Sequence, residues 1–239
     1  MSRCKNQPKL SHCFWKNLLL VCLLFILSSC QDFSPKNPNV SSTQASLEAV
    51  TPQLKAFDLE AENWQTIKGE GVSLSLPKTY RGGNPLRDFT AIEEALKGLD
   101  QGYQKRLQAI KQNLDQIVFM AFDARSITPD ALTNVNILKQ PIEADVTLEN
   151  YLETAVEALE KTHKIEGEII TTQGEKSLGR IIATVTTEEG VAMKQLFYFQ
   201  PEAETMWITN YTTPESEFQN RVSNFEQSIA SLKSGSPNQ

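Results

Sequence analysis

Cysteine chemistry is confined to the N-terminal end of this 239-residue chain. The four cysteines are Cys4, Cys13, Cys22 and Cys30. Thiols can form disulfides, bind zinc as thiolates or attack substrates as nucleophiles. Because no cysteine follows Cys30, all three kinds of chemistry are excluded from the remainder of the chain.

The residues that surround Cys30 predict a lipidation signal. The first seventeen residues carry four positive charges, and residues 18–27 form an unbroken apolar run. This run is too short to cross a bilayer, which takes about 20 apolar residues, but it suits the core of a signal peptide. Leu27, Ser28 and Ser29 then precede Cys30, an order that resembles the bacterial lipobox. We expect cleavage before Cys30 and a diacylglyceryl group on its thiol, with palmitate-type chains; the alternative is an ordinary secretory signal or uncleaved anchor with a chance cysteine.

A lipid on Cys30 would hold the mature protein on the extracytoplasmic face of a membrane, whether periplasmic, luminal or at the cell surface. Gln31 follows the cysteine and Asp32 comes one residue later, so the choice of membrane stays open. The predicted organisation is a signal peptide at 1–29, a lipidated cysteine with a flexible tether at 30–60, one domain at 61–233 and a disordered tail at 234–239.

The charge of the mature chain disfavours two classes of partner. Four of the basic residues lie in the predicted signal peptide, so 19 basic and 29 acidic residues remain, a net charge of about −10. Phosphate backbones and anionic headgroups repel a chain that acidic. We therefore expect neither nucleic-acid binding nor a polybasic membrane contact.

Catalytic motifs give no positive signal. The mature chain keeps one histidine, His163, which we place on the surface at a helix C-terminus, where the helix dipole favours a cation. A metal site there would need Glu166 or Glu168 to converge on the ring. The serines lack a nucleophile-elbow context, and the glycines do not form a phosphate-binding loop. We expect no enzyme activity and no cofactor or metal.

The hydrophobic pattern predicts how the domain begins. Trp64–Ile67 and Val72–Pro77 read as a β-hairpin, and the alternation of apolar residues with serines gives the second strand one buried face. Residues 81–85 read as a break. Asn84 as N-cap and Pro85 as first residue then start a long amphipathic helix that continues to Leu114.

The remaining pattern predicts strands, a helix, a meander and a last helix. Thr147 should cap the middle helix and Thr213 the last one. The predicted elements are a central strand at Ile117–Phe122, a strand at Thr133–Lys139, a helix at Leu148–Leu159, four strands between Ile165 and Tyr211, and a last helix that starts at Thr213–Pro214 and buries apolar residues from Phe218 to Leu232. This order indicates the α+β class, with an antiparallel sheet flanked by helices.

The order of elements resembles the PsbP-like, Mog1 and DcrB superfamily over residues 62–233. Three segments carry the resemblance: Gly71–Pro77, the helix Leu148–Leu159 before Gly179–Ala183, and the closing helix Phe218–Leu232. The resemblance implies an α/β/α sandwich in a bacterial lipoprotein, with cyanobacteria among the bacteria that have such proteins. It also implies a non-catalytic role, since similar proteins include extrinsic or assembly proteins of photosystems, small envelope lipoproteins and a small-GTPase partner.

Two functional hypotheses follow. The first is a membrane-tethered protein-binding lipoprotein that aids the assembly or stability of a membrane protein complex such as a photosystem. Its expected contact surface is the outer face of the Pro85–Leu114 helix, with Glu93, Glu94 and Asp100. The alternative is an envelope lipoprotein that binds or hydrolyses a small ligand between sheet and helices. A packed sheet–helix interface would favour the first, and an apolar pocket with convergent polar groups the second. The pattern does not indicate an oligomeric state.

Overall fold

A computed structural model describes residues 63–96, 116–127, 131–173, 176–187 and 190–235, together with Lys111 and Leu114. The predicted signal peptide, the tether and most of the predicted Pro85–Leu114 helix lie outside these residues. Within them, every helix is too short or too polar to cross a bilayer.

A small sheet opens the domain. Strand β1 (Trp64–Lys68) pairs antiparallel with β2 (Val72–Pro77), which confirms the predicted hairpin. Val72, Leu74 and Leu76 are buried, as their alternation with serines predicted. A two-residue strand at Lys233–Ser234 (β10) adds to β2, so the C-terminal end of the domain closes against its first hairpin.

A seven-stranded antiparallel sheet forms the centre of the domain. Its order is β3-β4-β5-β9-β8-β7-β6, so the predicted meander from β6 to β9 is confirmed and joins the sheet through the β9–β5 pair. The strands are β3 (Tyr80–Gly83), β4 (Ile117–Ile127), β5 (Leu132–Pro141), β6 (Lys164–Gln173), β7 (Lys176–Thr186), β8 (Ala192–Glu202) and β9 (Thr205–Pro214).

Three helices have bounds within the described part of the chain: α1 (Phe89–Leu96), α2 (Leu148–Leu159) and α3 (Glu215–Ala230). The predicted cap of α2 is confirmed, because the Thr147 side chain accepts a hydrogen bond from the backbone N–H of Asn150 at 3.2 Å. Such a cap satisfies one of the amide groups that the first helical turn leaves open.

Alternate residues of the large sheet face different helices. On β8, Phe197 and Phe199 pack in the core beneath α2, whereas Leu196 and Tyr198 pack with α3 and the small sheet. We call these two sides the α2 face and the α3 face. Because helices cover both faces of an antiparallel sheet, the α+β class and the flanked-sheet architecture are confirmed.

The predicted break at residues 81–85 is confirmed only at residues 84–85 and is wrong for residues 81–83. Residues 80–83 form β3 and pair with β4, and helix α1 begins only at Phe89. The turn between them is closed by side chains: Asn84 Oδ1 accepts from the N–H of Leu86 at 2.9 Å, and Asp88 Oδ2 accepts from the N–H of Asn84 at 2.8 Å. Asn84 thus stabilises a turn rather than capping a helix.

The predicted cap of the last helix is also displaced. Thr213 belongs to β9 and is buried, with its Oγ1 2.8 Å from Oγ1 of Thr133 on the neighbouring strand. The N-cap position of α3 falls on Pro214, which has no side-chain hydrogen bond to offer. The hydroxyl of Thr213 therefore stabilises the sheet and not the helix terminus.

Candidate functional site

A cluster of buried amide side chains lies on the α2 face of the large sheet. The strand register sets Asn136 opposite Asn210, and it sets Asn134 and Gln195 on either side of Thr212. Asn210 also pairs with Phe197, which places the whole group on the α2 face. We call Asn134, Asn136, Gln195 and Asn210 the amide cluster; each is at most 1 % exposed.

The side chains of two members of the cluster have no hydrogen-bond partner among the described residues. Both side-chain polar atoms of Asn136 and of Asn210 are buried and unpaired, as is Oδ1 of Asn134. Nδ2 of Asn134 donates to the carbonyl of Leu132 at 3.1 Å. Because a buried unpaired polar group costs about 1–3 kcal/mol, such groups are uncommon in packed cores. Amides donate and accept but carry no charge, so uncharged hydrogen-bonding groups would satisfy them.

His163 connects the end of α2 to this cluster. The predicted surface position is wrong, because the residue is 7 % exposed and its Nε2 lies 2.8 Å from Oε1 of Gln195. Nδ1 lies 2.8 Å from Oγ1 of Thr162, and Nε2 of Gln195 reaches Thr212 Oγ1 at 3.3 Å. With Gln195 oriented in this way, the neutral ring donates from Nε2 and accepts at Nδ1. Burial lowers the pKa of His163, although the hydrogen bonds to Gln195 and to Leu159 oppose that shift.

The glutamates near His163 serve other contacts. Glu166 pairs with the ammonium of Lys194, and its Oε1 accepts from Thr184 Oγ1 at 2.6 Å. Glu168 is exposed on β6. Within the described residues, no group of three or more histidine, cysteine, aspartate or glutamate side chains is placed to hold a metal ion.

An ion pair between a buried aspartate and a half-buried arginine lies on the α3 face. Asp123 of β4 accepts from Nη1 of Arg221 on α3 at 2.7 Å, and Nε of Arg221 donates to Glu217 at 2.6 Å. Burial alone would raise the pKa of Asp123, but the bond from Arg221 and the backbone N–H of Arg125 hold it below its usual range. The small cavity beside this pair, with a volume of about 20 Å³, has room for about one water molecule. An aspartate that stays ionised and paired stabilises the packing of α3 on the sheet.

The β6 edge is the third notable feature. β6 has β7 on one side and is the last strand in the order, so its other side is unpaired by the strands described. Ile169 and Ile170 are 37 % and 38 % exposed, in contrast to the buried isoleucines of the core. An exposed edge strand with apolar side chains offers main-chain donors and acceptors to another strand.

The structure describes only part of the predicted site. Leu27, Ser28, Ser29 and Cys30 of the lipidation signal lie outside the described residues, and so does Asp100. On α1, Glu94 is exposed and Glu93 is half-buried. The amide cluster and the β6 edge were not identified from the sequence. The alternation of Asn134 and Asn136 with valine and isoleucine is visible in the sequence, but such a pattern ordinarily indicates a face in water.

Comparisons with known proteins find solved structures with a similar fold. No family model and no curated protein matches this chain. It is similar to the solution structure of PsbP from Synechocystis sp. PCC 6803, with 13% identity over 72% of this chain and 93% of that chain and a TM-score of 0.46. It is also similar to LpqN, involved in cell envelope biogenesis of Mycobacterium tuberculosis, with 10% identity over 71% and 89% of the two chains and a TM-score of 0.45.

A third similar structure is a protein of unknown function, PA94 from Pseudomonas aeruginosa, with 15% identity over 44% of this chain and 74% of that chain and a TM-score of 0.40. A PsbP structure is thus among the similar ones, as the sequence resemblance predicted. At these identities and TM-scores, none of the three identifies the family or the function of this chain.

Proposed function

We propose that this protein is a lipid-tethered, non-catalytic protein-binding module that takes part in a membrane-bound protein complex. The observation that carries the proposal is the β6 edge. The side of β6 that no described strand pairs with, together with the exposed Ile169 and Ile170, has the features by which an edge strand accepts a strand from another protein. Main-chain hydrogen bonds supply affinity in that mode, and side chains on alternate positions supply specificity.

The predicted lipid at Cys30 would make a weak contact effective. A tether of about 30 residues has an r.m.s. span on the order of 30 Å by random-coil scaling. The domain would then stay within a thin shell at the membrane, and its effective concentration toward membrane neighbours would rise. A docking strand of modest affinity is sufficient under those conditions.

Acidic side chains would steer the domain toward basic surfaces of such a complex. Glu94 on α1 is exposed, and so are Glu149, Glu153 and Glu157 of α2 and its C-cap residue, Glu160. None of these five forms an ion pair with another described residue. The sequence-based expectation also counts Glu93, which is half-buried, and Asp100, which lies outside the described residues. Complementary charge raises association rates and makes them depend on salt.

The test is crosslinking of the acylated protein in its own membranes, followed by pull-down and mass spectrometry. Ile169→Lys should block the β6 edge without disturbing the core, because lysine on an edge strand opposes pairing. Leu86→Lys is the matched control, since Leu86 is 56 % exposed and lies away from β6. A partner captured by the parent and the control, but lost from Ile169→Lys, supports the proposal. Free monomer alone in mildly solubilised membranes at low salt would refute it.

The amide cluster favours a second candidate function, the holding of a small uncharged ligand on the α2 face of the sheet. Hydrogen-bonding amides suit binding better than hydrolysis, because they neither ionise nor attack. The test is the double variant Asn136→Leu with Asn210→Leu, compared with the parent by native mass spectrometry and thermal unfolding. Loss of a co-purified small molecule together with a lower Tm would support ligand holding. A higher Tm with no change in bound mass would show that the amides are merely unpaired in the core.

A further inference from the structure

The faces of β6 restrict what can pair with it. By register with β7, Glu168 lies opposite Ile181 and Ile170 opposite Gly179, both on the α2 face. Ile169 lies opposite Arg180 and so belongs to the α3 face. The register shift between Ile165 and Gly167 marks a β-bulge, which interrupts regular pairing at that end. The regular part of the free edge is therefore residues 167–173.

This free edge contains one charged residue. Its sequence from Gly167 is Gly-Glu-Ile-Ile-Thr-Thr-Gln, and Glu168 is the single ionisable side chain in it. Glu166 lies before this segment and already binds Lys194. A partner strand for 167–173 therefore needs to place something other than a carboxylate opposite Glu168, and something compatible with isoleucine at the centre.

We infer that the β6 edge pairs antiparallel with the β6 edge of a second copy of this chain, about a twofold axis at Ile170. The inference rests on the proposed function in one respect, because both take β6 as the edge to which another strand binds. It adds the identity of that strand. The two seven-stranded sheets would join into one continuous sheet across the twofold axis.

Symmetry and charge together determine which residue of β6 lies on the twofold axis. A twofold axis perpendicular to the sheet keeps each face on its own side, so directly opposed residues share a face and the axis passes through a residue pair. A centre at Glu168 would oppose two carboxylates, which is destabilising. A centre at Ile169 would place Glu168 opposite the partner's Ile170, a carboxylate against an apolar side chain.

A centre at Ile170 avoids both conflicts. Ile170 then lies opposite the partner's Ile170, Ile169 opposite the partner's Thr171, and Glu168 opposite the partner's Thr172. All seven residues from 167 to 173 take part, and both exposed isoleucines lie within the paired segment. A centre at Thr171 is also free of charge conflict but pairs only residues 169–173. The longest conflict-free register is therefore the one centred at Ile170.

The pairing should be weak in solution and populated on the membrane. A single pair of edge strands buries far less than the roughly 1,200–2,000 Å² of a stable interface. The same lipid confinement that supports the proposed function raises the local concentration of copies. The experiment therefore uses the acylated full-length protein in its own membranes.

Two probes at Ile170 test the inference. In the first, Ile170→Cys is oxidised mildly, since directly opposed Cα atoms about 4.5–5.5 Å apart meet the geometry of a disulfide. The domain has no cysteine after Cys30, so a linked dimer reports the introduced thiol. We expect a dimer from Ile170→Cys, and none from the parent or from Leu86→Cys. The second probe is a photocrosslinking amino acid at position 170, which captures any neighbour.

The outcomes separate the inference from the proposed function. A homodimer with both probes supports self-pairing. Photocrosslinking to a different protein, with no homodimer, overturns self-pairing and leaves the proposed docking edge intact. No crosslinked protein at position 170 refutes both.

Charge exchange provides a second readout that does not depend on thiols. Ile170→Lys alone and Ile170→Glu alone should each lower the homodimer fraction roughly fivefold, equivalent to about 1 kcal/mol, because like charges meet at the axis. Co-expression of the two variants should restore a mixed dimer, since opposite charges then face each other. If co-expression leaves the dimer fraction as low as in the single variants, residue 170 of one copy does not lie directly opposite residue 170 of the other.

Discussion

At the scale of single residues, two buried titratable groups connect helices to opposite faces of the sheet. Asp123 is ionised and held by Arg221 of α3, whereas His163 is neutral and held by Gln195 of β8. The first group fastens a helix through a charge, and the second connects a helix end through a hydrogen bond. Both pKa values are lowered, so both groups lose their native form when the pH falls.

Replacement of Asp123 should show how much the Asp123–Arg221 ion pair contributes to the stability of the domain. Asp123→Asn should cost about 3 kcal/mol, because it leaves Arg221 without its buried partner. Arg125→Gln is the control: its guanidinium is 70 % exposed and lies 3.6 Å from the same carboxylate, so its loss should cost less than about 1 kcal/mol. The measurement is the free energy of unfolding from urea titration at pH 7. An equal loss of unfolding free energy in the two variants would contradict the assignment of the stabilising ion pair to Arg221.

The pH dependence of stability should reveal the buried His163. An unfolded histidine has a pKa of about 6.5, and the folded value is lower, so the unfolded state binds the extra proton first. The stabilisation is therefore full above about pH 6.5 and is lost as the pH falls toward the folded pKa, with a slope of up to about 1.4 kcal/mol per pH unit. His163→Gln should lack this loss between pH 6.5 and pH 5.5. Parallel pH profiles of the parent and the variant would show that His163 titrates freely.

At the scale of elements, most strands and their apolar faces could be predicted, but the burial of polar side chains could not. Alternation in Val72–Pro77 and in residues 133–139 reflects the pleat of a strand, which is local. The burial of Asn134 and Asn136 depends instead on the strands and layers that assemble around β5, and no local pattern contains that information. His163 was placed correctly after a helix, but its burial depends on Gln195, 32 residues away.

The misread strand β3 has a physical cause in its glycines. Two glycines beside Asn84 and Pro85 ordinarily indicate a turn. Here Gly82 has a φ of +141° and lies so close to β4 that an added Cβ would meet the carbonyl oxygen of Met120 and come within 2.7 Å of Cα of Ala121. The glycine permits a close strand contact rather than a chain reversal.

Gly82→Ala should therefore destabilise β3 by more than about 1 kcal/mol, since both the dihedral angle and the space exclude a methyl group. Gly167→Ala is the matched control on a strand, because nothing lies within 4 Å of its added Cβ. That control should stay within about 0.5 kcal/mol of the parent. Thermal unfolding with near-ultraviolet circular dichroism would measure both. A tolerated Gly82→Ala would contradict the observed approach of β3 to β4.

At the scale of the whole molecule, the acidic balance bears on both proposed associations. The mature chain would carry about −10, with exposed carboxylates along the outer side of α2. That charge attracts a basic partner and repels a second copy. The two associations should therefore respond to salt with opposite signs, although each would occur on the same membrane.

Raising sodium chloride from 20 to 300 mM shortens the Debye length from roughly 20 Å to about 6 Å, by interpolation between the usual values. Screening removes the repulsion between two acidic domains, so the disulfide-linked homodimer of Ile170→Cys should form faster as salt rises. The same screening weakens attraction to a basic surface, so capture of a different partner should decline. Glu149→Lys with Glu153→Lys and Glu157→Lys should flatten both trends, since these exposed carboxylates lie outside the core and surface changes cost little stability. Homodimer formation that falls as salt rises would show that β6 pairing is held by charge contacts other than the backbone pairing inferred for Ile170.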